Sequence, residues 1–172
     1  VGKTSVKEGV NLVLSSLGRT HCSLGNFNNH IGLPLSMARM PKNTEFGVFE
    51  MGMSAAGEIS HLSRLLEPDI SVITNVQGMH LEFFNSIEDI AHAKSEIFEG
   101  TKKQGSAIIP ADSPHYKILL KKAQKKGLKK ILSFGRDKNS NFLLNKEIHG
   151  ASGQKLEVIF GKKKLNYKIA AL

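Results

Sequence analysis

Five short stretches carry residue types that could do chemistry together. Val1-Gly2-Lys3-Thr4-Ser5 has the form of the back half of a phosphate-binding loop. In such a loop, backbone N–H groups and a helix N-terminus cradle phosphate, the lysine reaches the outer phosphates, and the Thr hydroxyl ligates Mg²⁺. The full pattern G-x-x-x-x-G-K-[ST] needs a first glycine ahead of Val1. The sequence is therefore expected to be a piece of a longer chain, without the strand that feeds this loop. Glu50 ends the apolar run Phe46–Phe49, and His80 follows the β-rich run Ile70–Val76. In an open parallel sheet, ligands gather at the carboxyl ends of strands. Glu50 is a candidate Mg²⁺ ligand there. His80 is either a second metal ligand or an ordinary surface histidine.

Lys94 shares a helix face with Ile87, Ile90, Ala91 and Phe98. It either snorkels to solvent or points into a site. In the second case desolvation lowers its pKa, and the neutral amine can react with CO₂ to give a carbamate anion able to bind a second Mg²⁺. Asn28-Asn29-His30-Ile31-Gly32-Leu33-Pro34 places two amides on a loop, suited either to a polar substrate or to a plain turn.

The elements that must hold these residues follow from hydrophobic spacing. Val6, Val10, Val13, Leu14 and Leu17 predict a helix over 4–17. Strands are expected at Arg19–Leu24, Phe46–Met51, Ile70–Val76, Ser106–Ile109 and Lys130–Phe134. Helices are expected at Leu33–Met40, 55–66 and 87–99, the last opened by Ser86 and Asp89 as an approximate capping box. Another helix starts from Ser113-Pro114 and turns Tyr116, Leu119, Leu120 and Ala123 inward. Three β segments near 141–148, 154–160 and 164–170 are punctuated by Gly150, Gly153 and Gly161. The expected fold is α/β: a mostly parallel sheet flanked by helices, with a small β appendage near 141–170.

Composition narrows the functional classes. The chain has 172 residues, 40% hydrophobic and 23% charged, which is globular. One cysteine excludes an internal disulfide framework and a four-cysteine zinc site. No apolar run approaches the roughly 20 residues of a membrane helix. The net charge of +9 first suggests nucleic acid or an acidic membrane surface. It is unevenly spread: residues 1–100 hold 7 Lys/Arg against 11 Asp/Glu, and residues 101–172 hold 17 against 4. The motif-bearing part is mildly acidic. The Lys-rich stretch 117–130 reads as the solvated face of a helix, with too few aromatics to stack bases. Nucleic acid is therefore not an expected partner, although a basic module in 101–172 and a phosphate-loop NTPase stand as alternatives.

Five strings occur together and in order: Gly2-Lys3-Thr4-Ser5; Asn28 to Pro34; Glu50-Met51-Gly52-Met53-Ser54-Ala55-Ala56-Gly57-Glu58-Ile59; Thr74-Asn75-Val76 with His80-Leu81-Glu82; and Ala93-Lys94-Ser95-Glu96-Ile97-Phe98. The set resembles the central ATP-binding domain of the Mur ligase family, densely over 1–112 and loosely afterwards. The second and third strings favour the member that adds D-alanyl-D-alanine to UDP-N-acetylmuramoyl-tripeptide over other Mur ligases and over folylpolyglutamate synthetase.

The resemblance implies an ATP-dependent carboxylate–amine ligase of bacterial peptidoglycan synthesis, cytoplasmic and monomeric at full length, with ATP and two Mg²⁺ ions. By the same resemblance Gly2, Lys3, Thr4 and Ser5 bind ATP, and Thr4 and Glu50 ligate the ATP-linked Mg²⁺. His80 ligates the second ion, Lys94 is the carbamylated lysine, and Lys3, His80 and Lys94 serve catalysis. Asn28 and Asn29 meet the muramoyl substrate. The family's UDP-binding N-terminal domain and its C-terminal domain have no counterpart here, so the 172 residues alone are expected to lack ligase activity.

Overall fold

The computed structural model describes residues 2–78, 84–151 and 153–170. Helix α1 (Lys3–Ser15) leads into β1 (Thr20–Cys22), α2 (Gly32–Ala38) and β2 (Phe46–Val48). Then come α3 (Glu58–Leu66), β3 (Ile70–Val72), α4 (Ile87–Ser95), α5 (Ile97–Gly100) and β4 (Ser106–Pro110). The chain continues through α6 (Tyr116–Lys126), β5 (Lys130–Gly135), β6 (Phe142–Gly150), β7 (Gly153–Phe160) and β8 (Lys163–Ile169). The expected α/β architecture is present. No helix among the described residues is long and apolar enough to cross a membrane.

The strands form two sheets. β1 and β2 pair in parallel, with His21 opposite Gly47. The larger sheet runs β3-β4-β5-β6-β7-β8, parallel as far as β6 and antiparallel beyond it. The β segments near 141–170 thus extend the main sheet through the β5–β6 pairing. Between β2 and β3 the ladder is interrupted by a cavity of about 700 Å³. This explains one difference from expectation. Among the described residues β2 and β3 each have a partner on one side only, so they are shorter than the apolar runs that contain them. On α1, Val13 is 61% and Leu17 70% exposed, while Val6, Val10 and Leu14 line the cavity.

Two apolar clusters support the layers. Ile73, Val76, Ile90, Phe98, Ile109 and Leu119 pack α4, α5 and α6 against the main sheet. Leu33, Met51, Ile59 and Leu62 pack α2 and α3 beside the exit of β2. Each fully buried side chain of this size contributes about 1.5–3 kcal/mol.

Helix ends follow local chemistry in part. Ser86 Oγ accepts from Asp89 N at 3.0 Å and donates to Asp89 Oδ2 at 2.8 Å, which opens α4 as its sequence predicts. The helix expected over 87–99 is divided at Glu96 into α4 and α5. The helix expected from Ser113 begins one turn later, at Tyr116, with Ser113 Oγ accepting from His115 N. α3 follows Gly57 at φ 89°, a left-handed conformation that glycine adopts without steric cost.

Candidate nucleotide and metal site

The site forms where the N-terminus of α1 meets the carboxyl end of β2. Gly2 precedes α1, whose first turn has no side-chain cap and no acidic residue. Its free N–H groups and positive dipole end suit an anion. β2 delivers Glu50 to the same place, 6% exposed. Thr4 Oγ1 donates to Glu50 Oε2 at 2.8 Å, and Asn28 Nδ2 donates to Glu50 Oε1 at 2.8 Å. Lys3 Nζ lies 3.9 Å from Oε1. A carboxylate this buried is costly unless its oxygens are met by donors and a cation, and here both are. Glu50 N donates to Ser23 Oγ at 3.4 Å, and Gly52 N donates to Asn28 O at 2.7 Å. The backbone on both sides of Glu50 is therefore held too.

These groups suit Mg²⁺. The ion takes oxygen ligands in an octahedron at 2.0–2.1 Å, so neighbouring ligand oxygens stand about 2.9 Å apart. The Thr4 and Glu50 oxygens are separated by 2.8 Å. Among the described residues no three His, Cys, Asp or Glu side chains gather as a metal cluster.

Lys94, on α4, is half-buried and lines the same cavity as Lys3 and Glu50. Burial lowers its pKa, and the nearby Lys3 charge lowers it further. Both effects favour the neutral amine. Asn28 and Asn29 are turned to different tasks. Asn28 braces Glu50, whereas Asn29 Oδ1 accepts from Ile31 N and Gly32 N at 3.1 and 2.8 Å and holds the start of α2. Ser5 is exposed on the first turn of α1. His80 lies outside the described residues.

Three residues that shape the site escape motif reading. Lys7 is 3% exposed and is the buried residue of α1. Ser23 is 2% exposed and receives the Glu50 amide. The Glu96 carboxylate accepts from Gly57 N at 2.8 and 3.0 Å and from Ser60 N at 3.2 Å, so it caps α3 from another helix. A signal existed for Lys7. It stands three and seven residues before Val10 and Leu14, on the α1 apolar stripe, as Lys94 stands on that of α4. The hydrogen bonds from Glu50 N to Ser23 and from Gly57 N to Glu96 join residues 27 and 39 apart and have no local signature.

Known proteins resemble this chain in sequence and fold. A family profile described as "Mur ligase middle domain" matches residues 1–172. The UDP-N-acetylmuramoyl-tripeptide–D-alanyl-D-alanine ligase of Bacillus subtilis (strain 168) is 52% identical over 113 residues, 66% of this chain and 25% of that protein. The enzyme of the same name from Rickettsia prowazekii is 42% identical over 141 residues, 82% of this chain and 31% of that protein. A crystal structure of MurF from Acinetobacter baumannii superposes with a TM-score of 0.92 at 26% identity, over 99% of this chain and 36% of that one. MurF ligase from Thermotoga maritima, in complex with ADP, gives 0.86 at 29% identity, over 98% of this chain and 38% of that one. The chain thus spans between a quarter and two fifths of the length of these relatives. With Lys3, Glu50 and Lys94 set around one cavity and the match running from first residue to last, the chain belongs to the Mur ligase family, as its middle domain.

Proposed function

We propose that the chain is the ATP- and Mg²⁺-binding part of a ligase that joins D-alanyl-D-alanine to UDP-N-acetylmuramoyl-tripeptide in bacterial peptidoglycan synthesis. The observation that carries this reading is the Thr4–Glu50 oxygen pair, 2.8 Å apart beside Lys3 and at a helix N-terminus. It is supported by the names of the relatives and by the ADP held by the Thermotoga maritima protein. The reaction is placed in the cytoplasm because its phosphoryl donor is ATP.

In this reading the α1 N-terminus and Lys3 hold the ATP phosphates, and Lys3 offsets the repulsion between ATP and an anionic carboxylate substrate. A carboxylate oxygen of the tripeptide attacks the γ-phosphorus, the bond to the β-phosphate oxygen breaks, and ADP leaves. The amine of D-alanyl-D-alanine then attacks the acyl phosphate. Phosphate departs, the amine loses a proton, and an amide remains. Thr4 and Glu50 would hold Mg²⁺, which would supply charge neutralisation at the transferring oxygens. The amine of Lys94, whose pKa is lowered by burial and by Lys3, attacks CO₂ in its unprotonated form and releases a proton. The resulting carbamate, with His80, is the proposed holder of the second ion. Asn28 and Asn29 lie on the loop proposed to meet the muramoyl substrate.

Residues before Val1 are proposed to complete the phosphate loop and to supply the strand that fills the gap between β2 and β3. The 700 Å³ cavity between those two parallel strands, roofed by the α1 stripe, supports this. A UDP-binding domain and a C-terminal domain are proposed on either side of the chain, in keeping with its share of the relatives' length.

The test uses the full-length enzyme with ATP, Mg²⁺, the UDP-linked tripeptide and the dipeptide, and follows amide product and ADP together. Equal amounts of both are expected, and Glu50→Gln is expected to lower the rate at least about 100-fold, the scale for losing a group that stabilises transferring charge. ADP release that needs neither the carboxylate nor the amine would overturn the ligase reading in favour of a simple NTPase.

A further inference from the structure

Lys7 has no role in the chemistry above, yet it is among the most buried charged residues of the protein, at 3% exposure. Lysine is almost never so buried unless paired. Its Nζ donates to Ser23 O at 2.7 Å and to Gly25 O at 3.0 Å, and lies 3.0 Å from Glu8 Oε1. The two carbonyls belong to the segment that leaves β1 and runs to Asn28. That segment holds Glu50 at two points, through Ser23 Oγ and through the Asn28 amide. Lys7 stands one helical turn after Lys3 and three residues after Thr4. One ammonium group therefore connects the helix that carries Thr4 to the loop that fixes Glu50.

We infer that Lys7 is a positioning residue. By anchoring α1 to residues 23–25 it sets the separation of the Thr4 hydroxyl from the Glu50 carboxylate, and with it the affinity of the site for a divalent cation carried by a nucleoside triphosphate. An apolar residue at position 7 would keep contact between helix and loop, but such contact is non-directional. An ammonium shared by two carbonyls sets both the rotation and the translation of α1 against the loop. The requirement is strict because a divalent ion of small radius tolerates only a narrow range of ligand separations.

The inference rests on the metal and nucleotide site proposed above, so its test reads binding rather than product. Lys7→Met and Lys7→Gln are made in the full-length enzyme. Mn²⁺ is titrated by electron paramagnetic resonance in the presence of an ATP analogue with a methylene bridge between the β- and γ-phosphates. Amide exchange of residues 23–28 is followed in the same samples. Lys7→Met is expected to weaken Mn²⁺ binding about 10–100-fold, the range for groups that orient metal ligands, and to speed exchange in the 23–28 segment. Lys7→Gln keeps an N–H donor of nearly the same reach and is expected to lose less. A folded Lys7→Met enzyme whose Mn²⁺ affinity stays within about twofold of the parent would overturn the inference. Failure of both variants to fold would overturn it too, because the lysine would then hold the fold as a whole. A parent that binds Mn²⁺ with the nucleotide but forms no amide would sink the ligase reading and leave this measurement standing.

Discussion

Glu96→Ala isolates how the site's two sides are joined. The Glu96 carboxylate accepts from the backbone N–H groups of Gly57 and Ser60, at 2.8–3.2 Å, and it stands two residues after Lys94. Gly57 and Ser60 begin the helix that follows the Glu50 loop. Glu96 thus ties the Glu50 side of the cavity to the Lys94 side. Losing a helix N-cap costs about 1 kcal/mol, and up to about 2. Losing a negative charge from a helix N-terminus costs about 0.3–1 kcal/mol more. Gly57 is exposed, so water takes over part of its bonding. A total of about 2 kcal/mol follows. At about 1.4 kcal/mol per factor of ten, this opens α3 about 30-fold more often. Hydrogen exchange of the 57–66 amides in the full-length enzyme should accelerate by that factor, while α6 stays unchanged. Glu96→Gln retains an acceptor without the charge and should fall between the two. Exchange across 57–66 within about twofold of the parent after Glu96→Ala would refute the assignment of this carboxylate as the cap of α3.

Other perturbations test separate parts of the same framework. A Cβ at Gly52 would stand 2.8 Å from Asn28 Oδ1 and 3.0 Å from its Cγ. Gly52→Ala should therefore push the amide off Glu50 and weaken Mg²⁺–nucleotide binding about tenfold, measured by calorimetry. Since both changes break one contact, Gly52→Ala with Asn28→Ala should bind no worse than Asn28→Ala alone. Lys94, as the free amine, has its pKa lowered from 10.5 by burial and by Lys3. Between the lowered value and 10.5 the unfolded chain binds more protons, so stability rises with pH there, and below that window the penalty is complete. Lys94→Met should accordingly raise the thermal midpoint at neutral pH, with an advantage that shrinks as pH climbs toward 10.5; an advantage independent of pH would contradict this. The Glu99 carboxyl is held below its usual 4.5 by hydrogen bonds from Arg64 and Ser60. Its contribution is present above 4.5 and is lost as pH falls through the lowered value, so Arg64→Ala should flatten the acid limb of the stability curve. The pair is exposed, so the effect should stay below about 1 kcal/mol.

The legible parts of the site were those whose signature is local. Gly2-Lys3-Thr4 announces a helix N-terminus able to hold phosphate because the loop and the helix start are contiguous. Glu50 was legible because an apolar strand ends on it, and Lys94 because a cation interrupts an apolar face. Ser86 with Asp89 was legible as a cap because donor and acceptor sit three residues apart. The same logic failed where the partner is distant or is backbone. Lys7 bonds to two carbonyl oxygens, which every residue type offers, so nothing at positions 23 and 25 marks them as its acceptors. Glu96 caps a helix 39 residues earlier, and the break it marks between α4 and α5 is invisible in a face pattern that runs on to Phe98.

What the chain's order of residues determined by itself was the kind of fold and the inventory of reactive groups: alternating strands and helices, a Gly-Lys-Thr string at a helix start, a strand-end carboxylate and a lysine on an apolar face. Periodicity and local motifs act within a few residues, and one sequence suffices to read them. Only the tertiary structure decided that Thr4 and Glu50, 46 residues apart, stand 2.8 Å from each other, and that Asn28 braces the carboxylate. It also decided that Val6, Val10 and Leu14 of α1 line a cavity together with residues of β2 and β3. Those outcomes depend on which distant surfaces close on one another. Burial and directional hydrogen bonds settle that across the whole fold, and no short stretch encodes it alone.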